Sequence, residues 1–496
     1  MTVVLPNPPP PADAQPSRRR QAGGLPILQP DTAGIDIGAT QVYVAVPADR
    51  DPEPVRCFRT FTADLHALAA WLQQCGIRAV AMEATGVYWI PTYQILAAAG
   101  FTVCLVNPRH FKHVSGRKTD VSDCQWLQHL FSVGILQPSF RPADEICALR
   151  TLFRHRQHLV AQAAEQIQLQ QKALDQMNLH LHHVLADLAG STGTRIVEAI
   201  LAGEREPAVL AQLRDPRVRA DAETLQAALT GDWRPEHLFT LKQARESFLH
   251  YHQQLTACDA EIEQWLERHP VRVTPPADPA LPADPALPAD PARPADPAPA
   301  AAPGETPPPP RRHSHRNAPV LSRLDLGSEL AQRFGVEVTA IPGIGVSTAS
   351  LLYAELGADL HAFPTSAAFC SWLGLCPDPR KSGGQVIRHR TRGLKHRVAG
   401  IFRQAAQALA RCNNSLGSFY RKIRGRCGGP AAVTATAHKL ARIFYHLVTT
   451  KEAYDAAVFA WEDARQQQRR LKALERQAKS LGYSLAPLPE KTATPA

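Results

Sequence analysis

The sequence predicts an α/β protein in which a mixed-sheet domain is followed by a helical region and a mainly helical C-terminal domain. Two observations carry this prediction. Short apolar runs separated by turn residues follow the order β-β-β-α-β-α-β-α over residues 32–136. From residue 144 the runs give way to Gln-rich stretches with apolar residues at helical spacing. The 496 residues are enough for two or three domains.

The individual elements of the first domain follow from strand and turn signals. Gly34–Gly38 and Gln41–Val46 are predicted as two strands joined by a tight turn, and a third strand is predicted over Val55–Thr60. The later elements alternate between helix and strand: Leu65–Gln74 (helix), Ala79–Met82 (strand), Tyr93–Ala99 (helix), Phe101–Val106 (strand) and a helix that begins near Asp120.

Changes in composition divide the chain further. The Gln-rich helical region is typical of a coiled-coil or dimerisation arm, and no chemistry-bearing motif is visible in it. The Pro-Ala-Asp repeats that follow are too rich in proline for a helix or sheet and indicate an extended linker. The predicted segments are 1–30 (disordered extension), 31–140 (α/β domain), 144–272 (helical arm), 273–318 (linker), 321–458 (C-terminal domain) and 459–496 (last helix and tail).

Charge and cysteine usage narrow the class of protein. A formal net charge of +10 and a pI of about 9.2 predict an anionic partner, although charge alone does not separate nucleic acid from an anionic membrane surface. The sequence shows neither an apolar run long enough to span a membrane nor a signal peptide. Ten cysteines without a Cys-x-x-Cys pair argue against a disulfide framework, and we expect a reducing cytoplasm.

Four acids are the candidate catalytic and metal-binding residues. Asp36 and Glu83 each lie near the end of a predicted strand, and Asp120 and Asp123 share one face of a predicted helix. An Asp-x-x-Asp pair alone is more often a solvated helix face. Four carboxylates from three elements, however, are suited to one or two Mg²⁺ ions, with Mn²⁺ as the alternative. Such sites direct in-line attack at a phosphodiester.

Basic and glycine-rich motifs predict contacts with nucleic acid. The turn at Gly343 and Gly345 has a helix-hairpin-helix pattern whose backbone N–H groups suit a phosphate oxygen, a plain turn between helices being the alternative. The basic residues that we expect to contact phosphate are Arg109, Arg117, Lys118, Lys381, Arg388, Arg390, Arg392 and Lys395.

The four acids, in these motifs and this order, resemble the DEDD, RuvC-like (RNase H-like) domain of the "110" family of bacterial insertion-sequence transposases. Val106-Asn-Pro-Arg-His110 and Lys118-Thr-Asp-Val-Ser-Asp123 are similar to that family's signature around its last acids. Ile341-Pro-Gly-Ile-Gly345, the run from Phe369 to Pro377 and Ser382-Gly-Gly384 resemble its C-terminal domain. These matches cover roughly residues 32–136 and 335–450.

The resemblance implies a recombinase that excises and inserts a mobile element under the guidance of an element-encoded RNA. It implies DNA as substrate, both element ends and target, and a homo-oligomer, either a dimer or a tetramer. It also implies a serine nucleophile that becomes linked to DNA, and the matching residue is Ser382, with Ser371 and Ser347 as weaker candidates.

Three alternatives remain open on the sequence alone. Asp36-Ile-Gly-Ala-Thr40 also looks like the first phosphate loop of sugar kinases and actin-like ATPases, but no second loop of the Asp-x-Gly-Gly type follows it. A structure-specific endonuclease of the RuvC type would cut without the serine step. A non-catalytic scaffold would bind nucleic acid and need none of the acids.

Overall fold

The computed structural model describes residues 26–84, 86–107, 120–271, 318–377, 380–382, 385–388 and 396–457, together with short stretches between 468 and 484. The chain forms two compact units, Met1–Arg141 and Pro142–Ala496. Each unit is described separately below.

The first unit is built on a five-stranded mixed sheet. Its strands are β1 (Thr32–Ile37), β2 (Gln41–Ala45), β3 (Val55–Arg59), β4 (Ala79–Glu83) and β5 (Thr102–Val106). Their spatial order is β3-β2-β1-β4-β5. The first three strands pair antiparallel, whereas β4 runs parallel to β1 and β5 runs parallel to β4. The predicted strand order along the chain is therefore confirmed.

Helices cover the sheet on both faces. The helices of this unit are α1 (Thr62–Gln74), α2 (Trp89–Ala98) and α3 (Asp120–Ser132). One face forms a large core with α1 and α2, in which Ile35 and Leu68 are fully buried. The other face forms a smaller core with α3 around Ala81 and Leu127. Alternation along a strand assigns each residue of β1 to one of these faces.

Gly34 of β1 is the point where α3 approaches the sheet most closely. A Cβ at this position would lie 2.2 Å from the carbonyl oxygen of Cys124 and 2.3 Å from the backbone nitrogen of Gln128. Only a residue without a side chain allows this contact. The glycine therefore sets how closely the first turns of α3 approach β1.

The described part of the second unit is mainly helical. Its helices are α4 (Asp144–Gln176), α5 (Leu181–Val184), α6 (Ser191–Leu201), α7 (Pro207–Gln212), α8 (Ala222–Ala228), α9 (Pro235–Arg268), α10 (Leu326–Phe334), α11 (Val346–Leu356), α12 (Ser366–Trp372), α13 (Arg397–Ala408), α14 (Ser415–Cys427) and α15 (Gly429–Thr450). The expectation of several helices rather than one rod in the Gln-rich region is confirmed. The coiled-coil description of that region stays a prediction.

The long helices α4 and α9 pack antiparallel along each other. A buried ion pair joins them: Arg156 donates to Asp259 through Nε, and its Nη2 donates to the carbonyl oxygen of Ala318 at 2.9 Å. Both charged side chains are less than a tenth exposed. Each therefore depends on the other for compensation of its charge.

The chain that re-enters the described structure at residue 318 is fastened to the last turns of α9. Asp259 accepts a hydrogen bond from the backbone nitrogen of Val320 at 2.9 Å, and Glu263 accepts from Ser322 Oγ at 2.7 Å and from the backbone nitrogen of Leu324 at 3.1 Å. The backbone N–H of Arg323 also donates to this carboxylate, and this hydrogen bond, followed by that of the Ser322 hydroxyl group, lowers the pKa of Glu263 to about 2. The carboxylate is therefore ionised throughout the ordinary pH range.

Aromatic residues fill the core beneath the C-terminal helices. Phe334, Phe369, Phe402 and Phe444 are all fully buried, and their rings meet mostly edge to face. A short antiparallel ribbon of two strands, β6 (Arg380–Ser382) and β7 (Gln385–Arg388), lies between α12 and α13 in the sequence.

The described helices include none that is both long and apolar enough to cross a membrane. The structure confirms an α/β domain with a mixed sheet that is followed by many helices. The RNase H-like assignment of the sheet stays a prediction.

Candidate functional site

Asp36 and Glu83 lie at the same edge of the sheet. The parallel register pairs Ile35 with Met82, so the next residue along each strand is one of the two acids. Ile35 and Met82 point into the core formed with α1 and α2, and alternation therefore turns both carboxylates toward the opposite face. Neighbouring strands lie about 5 Å apart, which makes these two acids near neighbours.

The helix on that face carries the other two acids. Asp120 and Asp123 lie in the first turn of α3, three residues apart and hence on one side of the helix. The side chain of Asp123 is half-buried, whereas that of Asp120 lies outside the described residues. The close packing of α3 on Gly34 brings this turn toward the end of β1 that carries Asp36.

Asp36 and Asp123 both lie close enough to Cys124 to act on its thiol. The thiol of Cys124 is fully buried beneath the first turn of α3, and this burial raises its pKa to about 12. The negative charges of Asp36 and Asp123 both add to the rise. A carboxylate from β1 and one from α3 therefore act on the same buried group, although they are far apart in the sequence.

The described donors suit a hard, partly hydrated cation. Asp36, Glu83 and Asp123 offer carboxylate oxygens from three elements, and all three side chains are half-buried. Their ligand atoms do not all lie within 4.8 Å of one another among the described residues. Mg²⁺ is usually held by one or two carboxylates and keeps several waters, so an open set of this kind fits it. A fully dehydrated ion would need a more closed cage.

In the second unit Ser382 is the last residue of β6, and its register partner is Gln385 at the start of β7. Lys381 is the neighbouring residue of β6, and Arg388 ends β7. The ribbon thus carries three of the predicted residues on two adjacent strands. The side chains of this ribbon lie outside the described residues.

Six predicted basic contacts fall outside the part of the chain that the structure describes. They are Arg109, Arg117, Lys118, Arg390, Arg392 and Lys395. Their expected contact with phosphate stays a prediction.

Gly343 and Gly345 lie in the turn that precedes α11, as the sequence predicts. Gly343 has a φ of +89°, and a Cβ there would lie 3.0 Å from the carbonyl oxygen of Ala405, so both conformation and space favour glycine. Gly345 is the residue before the first turn of α11, where the backbone N–H groups have no acceptor within the helix. The geometry allows the predicted phosphate contact but does not require it.

A basic surface on α14 adds to the contacts predicted from the sequence. Its four cations are all exposed: Arg421, Lys422, Arg424 and Arg426. Arg421 is anchored by donating to the carbonyl oxygen of Cys412 at 2.7 Å. Their spacing within one turn and a half was the available signal, because it concentrates four cations on one short stretch of helix.

Gly34 was also missed as a residue that positions the site. It appeared in the sequence only as the first residue of a strand motif, because the partner that requires it, α3, lies nearly a hundred residues later. Glycine inside a strand often marks the close approach of another backbone, and this was the signal that could have identified it.

The fold and the acids define the class of protein: an α/β domain with carboxylates grouped at one sheet edge, attached to a helical unit with basic surfaces. Comparisons with known proteins agree with that class. Residues 33–179 match a family model named for DEDD transposases of IS110 elements and described as a transposase. Residues 337–421 match the model described as the transposase IS116/IS110/IS902 family.

A curated relative also comes from an IS110 insertion element. The chain is 31% identical over 90 residues to the insertion element IS110 uncharacterized 43.6 kDa protein of Streptomyces coelicolor. The match covers 18% of this chain and 22% of that relative. Two separate regions of the chain are therefore similar to transposase domains of IS110-type insertion elements.

Proposed function

We propose that the protein is a transposase that cuts and rejoins DNA to move an insertion sequence. The observation that carries the proposal is the grouping of Asp36, Glu83 and the acidic first turn of α3 at one edge of the sheet. The matches of both domains to IS110-type transposase models support it independently. The strand order β3-β2-β1-β4-β5 with one helix over the acids supports an RNase H-like assignment.

The four acids would hold Mg²⁺, or Mn²⁺ in its place. Such an ion, when bound, stabilises charge on a phosphate that is being cleaved and lowers the pKa of a bound hydroxyl group or water. The residues of this chain supply oxygen donors from strand ends and from a helix that Gly34 holds close. The rigid sheet thereby fixes the donors before DNA arrives.

Ser382 is the proposed nucleophile. Its hydroxyl oxygen would form a bond to a DNA phosphorus while the phosphorus bond to a deoxyribose oxygen breaks. The serine proton passes to the departing strand, which ends in a free hydroxyl group. The reverse step, with the hydroxyl group of another strand as the attacking group, rejoins DNA and releases the serine. Phosphodiester bonds are conserved in number, so this route needs no energy-rich cofactor.

Basic surfaces in the second unit are the proposed nucleic-acid contacts. They comprise the exposed side of α14, the ribbon that holds Lys381 and Arg388, and the turn at Gly343 and Gly345. Phosphate contacts from such residues position a duplex without reading its sequence. We propose that an element-encoded RNA supplies that specificity, and that the active protein is a dimer or tetramer.

The test begins with purified protein, co-purified RNA, labelled element-end DNA and Mg²⁺. We expect cleavage and a covalent protein–DNA adduct that survives denaturation. Asp36→Asn should abolish cleavage and leave DNA binding intact. Asp64→Asn is the matched control, because Asp64 belongs to α1 on the other face of the sheet and, among the described residues, pairs only with the exposed Arg59.

The serine step is tested separately. Ser382→Ala should abolish the adduct, whereas Ser371→Ala should retain it. Cleavage without any adduct would refute the serine step and favour an endonuclease of the RuvC type. Cleavage that survives Asp36→Asn would refute the metal site, and DNA binding with no cleavage under any condition would favour the non-catalytic scaffold.

A further inference from the structure

A carboxylate and two imidazoles meet where the first long helix of the second unit ends. Asp175 lies in the last turn of α4, and His182 and His183 lie on the short helix α5. One ligand atom from each of the three side chains lies within 4.8 Å of the other two. No other set of three such side chains is this close in the part of the chain that the structure describes.

The backbone that carries these residues is held firmly. Met177, Leu179 and Leu181 are fully buried in the core of the helical region. The side chains of His180 and His182, which alternate with these residues, are half-buried. The backbone nitrogen of His180 donates to the carbonyl oxygen of Ala228 at 2.8 Å. The connection between α4 and α5 is therefore ordered by packing and does not depend on the polar cluster.

A second backbone contact joins the end of α4 to the loop that precedes α9. The backbone nitrogen of Asp232 donates to the carbonyl oxygen of Met177 at 2.8 Å. A Cβ at Gly231 would lie 2.3 Å from that same oxygen, so the two segments are in direct backbone contact. Ligands carried on a rigid scaffold lose little conformational entropy when a metal binds.

The side chains themselves already converge. His182 Nε2 lies 3.6 Å from Asp175 Oδ2, and the rings of His182 and His183 meet edge to face with 4.3 Å between their centroids. A tetrahedral zinc site needs ligand atoms about 3.3 Å apart. Small rotations of Asp175 and His183 reach this spacing, because both side chains are exposed.

His180 adds an observation that the three ligands alone do not explain. Its Nδ1 is buried and finds no hydrogen-bond partner among the described residues. This nitrogen lies 3.9 Å from Asp175 Oδ1, while Nε2 of the same ring is 3.0 Å from Asn178 Oδ1. An unsatisfied buried nitrogen beside a carboxylate is costly, and a shared cation would satisfy it.

We propose that Asp175, His182 and His183 bind a divalent transition-metal ion of the Zn²⁺ class, with His180 or water as the fourth ligand. Imidazole and carboxylate are the donors that Zn²⁺, Co²⁺ and Ni²⁺ take in proteins, whereas Mg²⁺ prefers oxygen alone. The ion would add a direct link between the end of α4 and α5, at a bend that packing already orders. Its role is structural and independent of the acids of the first unit.

The test uses the full-length protein in excess Mg²⁺, which occupies carboxylate sites and leaves imidazole sites free. Titration with Zn²⁺ by calorimetry should show one equivalent per chain, and Co²⁺ should give the visible absorption of a tetrahedral complex. His183→Asn should weaken Zn²⁺ binding by at least about 100-fold. His183 is the ligand to replace first, because it is exposed and its loss leaves the core unchanged.

The matched control is His155→Asn, which removes an exposed histidine from α4 away from the cluster. It should bind Zn²⁺ as the wild type does, and Asp36→Asn should as well. His183→Cys should retain binding through its thiolate, which excludes a loss that comes from misfolding. Zn²⁺ should also raise the melting temperature of the wild type and not of His183→Asn.

Two results would overturn the proposal. One is the absence of a Zn²⁺ equivalent in the presence of Mg²⁺. The other is equal Zn²⁺ affinity in His183→Asn and His155→Asn, which would place the ion elsewhere.

Discussion

Replacing Gly34 by alanine tests the link between packing and the acidic site. The added Cβ would lie 2.2 Å from the carbonyl oxygen of Cys124 and 2.3 Å from the backbone nitrogen of Gln128. Both are backbone atoms of α3, so no side-chain rotation relieves the clash. The helix must withdraw from β1 by about 1 Å before these contacts reach ordinary van der Waals distances.

The size of the effect follows from opposing contributions. Overpacking of this kind destabilises by about 1–3 kcal/mol. Replacing a glycine makes the unfolded chain less flexible, which offsets this by about 0.4–1 kcal/mol. We therefore expect a net loss of about 1–2 kcal/mol, concentrated where α3 packs on the sheet. The same withdrawal moves Asp123 away from Asp36 by about half the 2.0–2.1 Å length of an Mg²⁺–oxygen bond.

Hydrogen exchange on α3 and Mg²⁺ titration measure the two effects separately. Exchange of the α3 amides should become roughly 5- to 30-fold faster in Gly34→Ala. Mg²⁺ affinity should fall, and Mg²⁺-dependent DNA cleavage, on the proposed function, should drop by about 100-fold. Gly400→Ala is the control, since it adds a methyl group to α13 at a point where no described residue outside the local helix backbone lies within 4 Å.

Gly400→Ala should be neutral or stabilise by up to about 1 kcal/mol, because alanine is the better helix former. Unchanged α3 exchange in Gly34→Ala would refute the packing that the close approach implies. Faster exchange with unchanged Mg²⁺ affinity would instead show that α3 does not supply ligands.

The remaining predictions concern stability and accessibility. Arg156→Met leaves Asp259 buried without its cation and should lower the free energy of unfolding by about 3–5 kcal/mol, measured by chemical denaturation; a double variant with Asp259→Leu should recover most of the loss. Burial lowers the pKa of His396 from 6.5 in the unfolded chain to about 4 in the folded protein. The folded state favours the neutral imidazole, so its contribution to stability is complete above about pH 6.5 and is lost as the pH falls toward 4. Melting temperatures of the wild type and His396→Gln should converge over that window, and curves that stay parallel would contradict it. The exposed thiol of Cys57 should react with Ellman's reagent in the native protein, and buried Cys124 only after denaturation.

Sequence patterns predicted the secondary structure of the first unit well, because each of its strands is specified by residues that are close together in the sequence. Alternating apolar runs identified each strand, and the observed bounds differ from the expected ones by one or two residues at most sites. Helix α2 is the largest difference: it begins at Trp89 rather than Tyr93. Pro91 marks this start, since proline is well tolerated in the first turn of a helix.

The arrangement of the acids could be predicted in part. Strand alternation placed Asp36 and Glu83 near one edge, but the close approach of α3 depends on Gly34, whose partner is remote in sequence. The polar cluster at Asp175 was invisible for a related reason. Its residues are separated by a turn at Asn178, with φ of +56°, whose direction a helical periodicity does not encode.

The hydrogen bonds that hold Val320 and Leu324 to the last turns of α9 have a consequence for the gene as well as for the protein. Val320 and Leu324 are bound by Asp259 and Glu263 in the last turns of α9, so the described residues on both sides of positions 272–317 are anchored to this one helix. Closing a flexible loop of twice the length costs only about 0.6 kcal/mol more. Whole Pro-Ala-Asp-Pro-Ala-Leu units can therefore be gained or lost by slippage of the coding repeat with little effect on the folded units. This tract is where natural variants of the chain should differ most in length.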